Sequence, residues 1–356
     1  MTSLLSRYVI RAVLGTTALV MLVLLVLSGL YLFISEQDDI GTGTYSMADA
    51  LMVAGLNLPK YGFDLLPIGA LIGALLALGN LARTLELVVV RAAGVSVMRI
   101  ALWTVTAGVI LMAFTALLGE VIAPQMEQYG RQLKTFAKFN DFSMAGNRSA
   151  WAKDGDMMIS VRQQSADNRY GGVYVFTFDG QRRLLSVGHA NDASVDANNR
   201  WRLENYVESR LDDERVVTRR ETATDLQTHL SSEFLGLAVL DPESLPGRGL
   251  HSYIQHLRAN GLDSRSYETA FWARIARTVA VAIIVVLAVP FAFGPMRSTG
   301  TGARTVVGIM IGVVFFLLAK MMESSGEVFN MPPLAVAWLP TLLLAIVTTI
   351  AVARVR

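Results

Sequence analysis

The sequence offers few side chains suited to catalysis. It contains no Cys and four His, and His251 and His256 are five residues apart on a predicted helix, which does not place both rings on one face for a metal ion. No Gly is followed by Lys, so the phosphate-binding loop of many ATPases is absent. Ser, His and Asp form no recognisable nucleophilic set. These patterns predict a protein without a catalytic residue, metal or cofactor.

Basic side chains are the better candidates for binding chemistry. Six of them stand near the ends of long apolar segments: Arg131, Lys134, Lys138, Arg274, Arg277 and Lys320. Guanidinium and ammonium groups in such places bind anionic phosphates through charge-assisted hydrogen bonds. The alternatives are a solvated helix face for the first three and, for the others, side chains that snorkel toward water.

Long apolar segments must position these residues. Hydrophobic residues make up 53% of the chain and charged residues 17%. Six uncharged apolar runs occupy 12–35, 65–82, 100–119, 278–296, 305–319 and 328–353. Most of them approach the ~20 residues that cross a bilayer as a helix. The first is too long for the apolar region of a signal peptide, so we expect six transmembrane helices, split three and three.

The positions of Lys and Arg predict the orientation of these helices. Basic residues concentrate at both ends and in two connecting loops: Arg7, Arg11, Arg83, Arg91, Arg99, Arg297, Arg304, Arg354 and Arg356. Such residues mark the cytoplasmic side of short loops. Both termini are therefore predicted to be cytoplasmic, and the insert 120–277 to lie on the opposite side of the membrane.

The insert has the pattern of β-structure. Predicted strands cover Met157–Arg162, Gly172–Phe178, Leu184–Val195, Arg200–Leu211 and Arg215–Glu221. Asp-Gly pairs at 154–155 and 179–180, and the pair Asn198-Asn199, predict turns. The expected fold is an all-β sandwich or jelly roll. We thus predict three parts: a first transmembrane half at 1–123, a connecting helix and β-domain at 124–265, and a second transmembrane half at 266–356.

Several motifs resemble one family. They are Glu86-Leu-Val-Val-x-x-Ala-x-Gly94, Trp151-Ala-Lys-Asp-Gly155, Leu240-Asp-Pro242, Gly249-Leu-His251 and Phe293-Gly-Pro-Met-Arg-Ser298. In this order, over almost the full length, the chain resembles the lipopolysaccharide export permeases of the LptF/LptG family, and within it the LptG type. The resemblance implies an inner-membrane subunit of Gram-negative bacteria that pairs with an LptF-like permease.

The resemblance also implies further partners and a direction of transport. The pair of permeases would sit on a dimer of an LptB-like ATPase, with an LptC-like bitopic protein beside it. The complex would move lipopolysaccharide from the outer leaflet of the inner membrane to a periplasmic bridge of β-jelly rolls. The missing phosphate-binding loop fits a subunit whose ATP hydrolysis is supplied by another chain.

The resemblance assigns roles to particular residues. In the family, the segment corresponding to about 85–98 is a coupling helix that enters a cleft of the ATPase. This points to Glu86, Leu87, Arg91, Ala92 and Gly94. For Glu86 the alternative is a purely local role, because a carboxylate is favoured at a helix N-terminus.

The lipid substrate that the resemblance implies suggests roles for the basic residues and for one strand. Lipid A phosphates would bind the six basic residues named above. In Val173–Phe178 both faces are apolar, so Val173, Val175 and Phe176 are candidates for a wall that shields acyl chains. The alternative for this strand is an ordinary sandwich core.

Two other classes of protein remain open from the sequence. One is a mechanotransmission-type permease subunit, which couples ATP hydrolysis to a periplasmic domain without carrying lipid; such subunits usually have four membrane helices. The other is a non-transporting scaffold that displays a β-domain. A scaffold would not need the coupling-helix pattern.

Overall fold

The computed structural model describes residues 2–138, 150–164, 169–181, 183–195, 200–212, 215–226, 228, 242, 245–293, 301–328 and 331–355. The chain divides into two compact units. The first contains Met1–Asp38, Leu51–Gly130 and Arg265–Arg356, and the second contains Asp39–Ala50 and Arg131–Ser264.

Among the described residues, six helices are long and apolar enough to cross a membrane. They are α1 (Thr2–Ser35), α2 (Met47–Arg83), α4 (Val97–Leu117, extended by the segments that follow it), α7 (Arg265–Phe293), α8 (Thr301–Val328) and α9 (Pro333–Ala353). The shorter helices are α3 (Glu86–Ala92), α5 (Ala123–Lys138), α6 (Gly247–Ala259) and a 3₁₀ turn at Gln37–Asp39. Three spans precede the β-strands and three follow them, which confirms the predicted arrangement.

Several spanning helices extend beyond their apolar runs, as α2 and α8 show. The second run was predicted at 65–82, but α2 begins at Met47 and contains Lys60 and Asp64, which lie outside that run. The fifth run ended at residue 319, whereas α8 continues to Val328 and includes Glu323. These charged residues are tolerated because each has an oppositely charged partner on a neighbouring helix. Lys60 Nζ lies 2.8 Å from Glu127 Oε1 of α5, and the partners of Asp64 and Glu323 are described below.

Close helix contacts in the first unit depend on residues without side chains. A Cβ built on Gly108 of α4 would lie 2.9 Å from the carbonyl oxygen of Ala282 in α7. Within a bilayer, helices associate through such close packing and not through the hydrophobic effect, so small residues are favoured where backbones approach. Around this contact lies a core of buried aliphatic residues that includes Ile100, Ala280, Val281 and Ile284.

A π-helical segment interrupts the third spanning helix between α4 and α5. It covers Leu118–Ile122 and changes the backbone hydrogen bonding for one turn. Such π-bulges are rare and often occur at functional positions. Here the bulge directs the Gly119 carbonyl toward a side chain of α7, described below.

In the described part of the second unit, six strands form one antiparallel sheet in the order β1-β2-β3-β4-β5-β6. They are β1 (Ala150–Asp154), β2 (Met157–Gln164), β3 (Arg169–Phe178), β4 (Leu184–Val195), β5 (Trp201–Asp212) and β6 (Arg215–Leu226). The five predicted strands are confirmed, and the Asp-Gly turns join β1 to β2 and β3 to β4. The prediction missed β1, and Asn198-Asn199 and Leu240-Asp241 lie outside the described residues.

A line of irregular positions crosses the middle strands of the sheet. Gly172 in β3 and Asn205 in β5 both have positive φ, and each is skipped in the strand pairing. Burial along β4 changes phase at the same level, from Ala190 to Ala193. Because of this change of phase, the same face of the sheet is buried before and after the irregular positions. That face packs Tyr170 against Trp201, with ring centroids 4.9 Å apart.

Candidate functional site

The short helix α3 occupies the loop between the second and third spanning helices. It covers Glu86–Ala92, so it is shorter than the predicted 85–98. It stops because Gly94 adopts a φ of 86°, and Ser96 then caps α4 by accepting a hydrogen bond from the Arg99 backbone nitrogen. At the other end Leu85 has a φ of 62°, an uncommon conformation for a residue with a side chain.

One side of α3 is anchored and the other is exposed. Leu87 is buried in the aliphatic core of the first unit, and the Arg91 guanidinium lies 5.8 Å from the ring centroid of Phe293 in α7. Val88 and Val89, by contrast, are 44% and 68% exposed. The predicted residues Ala92 and Gly94 are exposed as well. The helix therefore presents a small apolar surface on a fixed base.

Two hydroxyl groups hold the carboxylate of Glu86. Tyr8 of α1 donates to Oε2 at 2.6 Å, and Thr84 donates to Oε1 at 2.8 Å. These bonds, first that from Tyr8 and then that from Thr84, lower the pKa of Glu86 below its usual value. Glu86 is therefore ionised at neutral pH, and both of its oxygens have an intramolecular donor.

Arg277 is the centre of an ion-pair network between three spanning helices. Its guanidinium lies 3.0 Å from Asp64 Oδ1 of α2 and 3.1 Å from Glu323 Oε1 of α8. Lys320 Nζ lies 3.7 Å from the other oxygen of Glu323. Two cations face two carboxylates, so the group is formally neutral. The sequence analysis proposed Arg277 and Lys320 for phosphate binding and missed both acidic partners.

Arg274 is held one turn away, at the π-helical segment. It donates to the backbone carbonyl of Gly119, lies 3.9 Å from Glu120 Oε1, and its guanidinium is 5.1 Å from the ring centroid of Phe63. A Cβ on Gly119 would collide with that ring, so only glycine fits there. Arg274 thus stabilises a backbone irregularity, a role that its position in the sequence does not reveal.

The remaining basic candidates lie on α5 in the second unit. Lys134 forms an ion pair of 2.9 Å with Asp39. The Ala137 carbonyl of the same helix accepts a hydrogen bond of 2.7 Å from the backbone nitrogen of Thr44. Arg131 is partly buried, and the side chain of Lys138 lies outside the described part of the chain. The six predicted cations therefore fall into two groups, one in each unit.

The three apolar candidates of β3 do not share a face of the sheet. Val173 and Val175 are 0% and 2% exposed and point into the buried face. Phe176 points to the other face, where its ring stacks on Trp151 with centroids 5.6 Å apart. Adjacent residues of a strand alternate between faces, so Val175 and Phe176 cannot line the same wall.

Among the described residues, no group of three or more acidic or His side chains could hold a metal ion. His256 Nε2 lies 3.1 Å from the Lys153 carbonyl oxygen, and His251 contacts Gln255. Both rings thus have structural partners. The described sites consist of a short exposed helix, membrane-level ion pairs and a β-sheet with a buried face.

This combination defines a multi-pass helical membrane protein with an inserted β-domain. The family described as "Lipopolysaccharide export system permease LptF/LptG" matches residues 7–354, and the chain belongs to this family. It is 33% identical over 344 residues to the lipopolysaccharide export system permease protein LptG of Haemophilus influenzae, covering 96% of each chain. It is 34% identical over 339 residues to the LptG protein of Escherichia coli K12, covering 95% of this chain and 94% of that one. The chain is therefore an inner-membrane permease subunit of a lipopolysaccharide export system.

Proposed function

We propose that this subunit uses the energy of a separate cytoplasmic ATPase to extract lipopolysaccharide from the outer leaflet of the inner membrane and pass it to a periplasmic β-jelly-roll bridge. The proposal rests on the structure of α3. Leu87 of this helix is buried, whereas the side chains of Val88 and Val89 are exposed. A short helix that is anchored on one side and apolar on the other suits insertion into a cleft of another protein. The ATPase would transmit its motion there.

The proposed orientation follows from the basic residues. With both termini and α3 in the cytoplasm, the β-domain lies in the periplasm, after the third span. We assign the first transmembrane half to 1–123, the connecting helix and β-domain to 124–265, and the second half to 266–356. Lipid that has left the bilayer then meets only the β-containing part of this chain.

The proposed partners are an LptF-like permease, an LptB-like ATPase dimer and an LptC-like bitopic protein. The exposed surfaces of two spanning helices indicate that other molecules complete the helix bundle. In the most apolar 18-residue stretch of each helix, this chain buries 17% of the residues of α1 and 11% of those of α8. In α2 it buries 78% of them. Lipid or the helices of a second permease would cover the remaining surfaces of α1 and α8.

The β-domain would shield acyl chains from water. Exposure of an acyl chain to water costs about 0.8 kcal/mol per CH₂, so a lipid with several chains requires a continuous apolar path. Val173 and Val175 lie on the buried face, and they would line such a path if the face opens to admit lipid. Phe176 lies on the opposite face and would serve only a path along that face.

The lipid A phosphates would bind the basic residues of each unit separately. Arg131, Lys134 and Lys138 would act on α5, and Lys320 on α8. At Lys134, Lys320, Arg274 and Arg277, a phosphate would have to displace the carboxylates that hold these side chains now. We therefore expect Arg131→Ala with Lys134→Ala to reduce lipopolysaccharide binding by the assembled complex. Unchanged binding would leave these two residues as a solvated helix face.

A pair of matched substitutions tests the role of α3. Val89→Asp places a charge on the exposed surface of the helix, and Val216→Asp places the same charge at a similarly exposed position, 64% against 68%, on β6. Neither site is buried, so both variants should fold. We expect only Val89→Asp to prevent co-purification of the ATPase from membranes and to abolish ATP-driven lipopolysaccharide release.

Other outcomes distinguish other functions. Normal ATPase binding and release by Val89→Asp would contradict the docking role of α3. Failure of the unchanged protein to co-purify with any ATPase would indicate a scaffold. An ATPase that couples to the complex without moving lipopolysaccharide would indicate the mechanotransmission class.

A further inference from the structure

A side-chain hydrogen bond joins the first and third helices of this chain. Tyr8 and Glu86 are 78 positions apart, and the Tyr8 hydroxyl donates to Glu86 Oε2 at 2.6 Å. Thr84 occupies the other carboxylate oxygen. Because each oxygen accepts a separate hydroxyl, the carboxylate is fixed in rotation as well as in position. A residue that only favoured the helix N-terminus electrostatically would not need this orientation.

The part of α1 that carries Tyr8 is firmly packed. Val9 and Val13 are 2% and 0% exposed, and the Thr16 hydroxyl donates to the Gly73 carbonyl of α2 at 2.9 Å. Beyond this anchored part, apolar side chains of α1 are largely exposed: Leu19, Leu22, Val26, Leu30 and Ile34. The helix is thus held near Tyr8. Farther along, one side of α1 still packs on α2, with Met21 against Gly69 and Leu58 against Gly29, and the other side is an open apolar surface.

We propose that Tyr8 is a positioning residue that fixes the Glu86 carboxylate and transmits displacement of α3 to α1 during lipid export. This inference rests on the proposed role of α3 in ATPase docking. In this role Tyr8 acts through Glu86, to which its hydroxyl donates. An α-helix rises 1.5 Å per residue, so Tyr8 and Leu30 are about 33 Å apart along α1. A tilt of α1 at Tyr8 would therefore displace the helix at Leu30. A small rotation of α3 would therefore move the exposed part of α1.

The phenolic hydroxyl can be removed without changing the ring. Tyr8 is 52% exposed, and Tyr8→Phe keeps the ring while deleting the hydroxyl that donates to Glu86. Tyr31 lies on the same helix and is 63% exposed, so Tyr31→Phe is a matched control. Tyr8→Phe removes a single hydrogen bond to a charged group at a half-exposed site. We expect this loss to lower the lipid released per ATP about threefold to tenfold.

The experiment uses the complete complex in proteoliposomes that contain lipopolysaccharide, with the ATPase rate and the lipid released per ATP measured together. We expect Tyr8→Phe to lower the lipid released per ATP about threefold to tenfold, with unchanged subunit composition and thermal midpoint. Tyr31→Phe should behave as the unchanged protein does. In a Glu86→Ala background, Tyr8→Phe should have no further effect, because both changes remove the same interaction.

The possible failures are distinguishable. If Glu86→Ala impairs coupling but Tyr8→Phe does not, the role of Tyr8 is refuted and the docking role of α3 stands. Normal coupling in Glu86→Ala would overturn the proposed role of α3 and that of Tyr8 with it. A loss in Tyr8→Phe that follows a lower thermal midpoint, or that adds to the Glu86→Ala effect, would assign Tyr8 to stability alone.

Discussion

Arg277 provides a quantitative test of the ion-pair network between α2, α7 and α8. Arg277→Ala leaves the carboxylates of Asp64 and Glu323 without their guanidinium partner. Removing one member of a fully buried pair costs about 3–5 kcal/mol, whereas an exposed pair contributes about 0–1 kcal/mol. The side chains of Arg277, Glu323 and Asp64 are 20%, 14% and 36% exposed, so the site lies between these limits. We expect Arg277→Ala to lower the free energy of unfolding by about 2–3 kcal/mol.

The assay is equilibrium unfolding of the purified chain in detergent micelles, followed by circular dichroism. Lys320→Ala is the control, because Lys320 lies farther from Glu323, at 3.7 Å, and is 41% exposed. It should cost less than about 1 kcal/mol. Combining Arg277→Met with Asp64→Asn and Glu323→Gln removes the guanidinium together with both of its carboxylate partners, so this triple variant should recover most of the lost stability.

The result that would refute this reasoning is an Arg277→Ala variant within about 0.5 kcal/mol of the unchanged protein, since surface substitutions produce changes of that size. A triple variant less stable than Arg277→Ala would refute it as well. Lower lipopolysaccharide binding at unchanged stability would instead support the phosphate-binding role suggested by the sequence.

Three further predictions concern packing, backbone geometry and the lipid path. Gly73→Ala should destabilise the chain by about 1–3 kcal/mol in the same unfolding assay, because its Cβ would lie 2.7 Å from the Thr17 backbone nitrogen, whereas Gly55→Ala meets no atom within 4 Å and should have little effect. Leu85→Gly should retain the thermal midpoint and Leu85→Val should lower it, since positive φ disfavours β-branched residues; equal midpoints would contradict this. A photocrosslinker at Val175 should label lipopolysaccharide only with ATP, while labelling solely from position 176 would place the path on the opposite face.

The hydrophobic pattern was sufficient to predict the elements of this protein. Six apolar runs predicted the six spanning helices, because the number of residues that cross a bilayer is set by its thickness. Alternation of apolar and polar residues predicted β5, since successive side chains of a strand point to opposite faces. The five-residue β1 was missed because so short a segment carries little periodicity. The beginning of α2 was placed too late and the end of α8 too early, because charged residues were taken to mark loops.

The motif beginning at Glu86 was recognisable because its residues are contiguous, and it indicated the family that the full-length comparison confirms. The partners of those residues were not recognisable. Tyr8 lies 78 positions from Glu86, and Asp64 lies 213 positions from Arg277. Nothing in the local sequence distinguishes Asp64 from Asp49, which lies on the same helix.

The tertiary structure alone decided which charges are paired and which faces are buried. Helix periodicity gives the direction of a side chain relative to its own axis, but the rotation and distance of the neighbouring helix depend on packing between elements remote in the chain. Arg277 therefore reads from the sequence as a cation available for a phosphate, and in the folded chain it lies between two carboxylates. Long-range pairing follows from the simultaneous packing of several helices, which no single segment encodes.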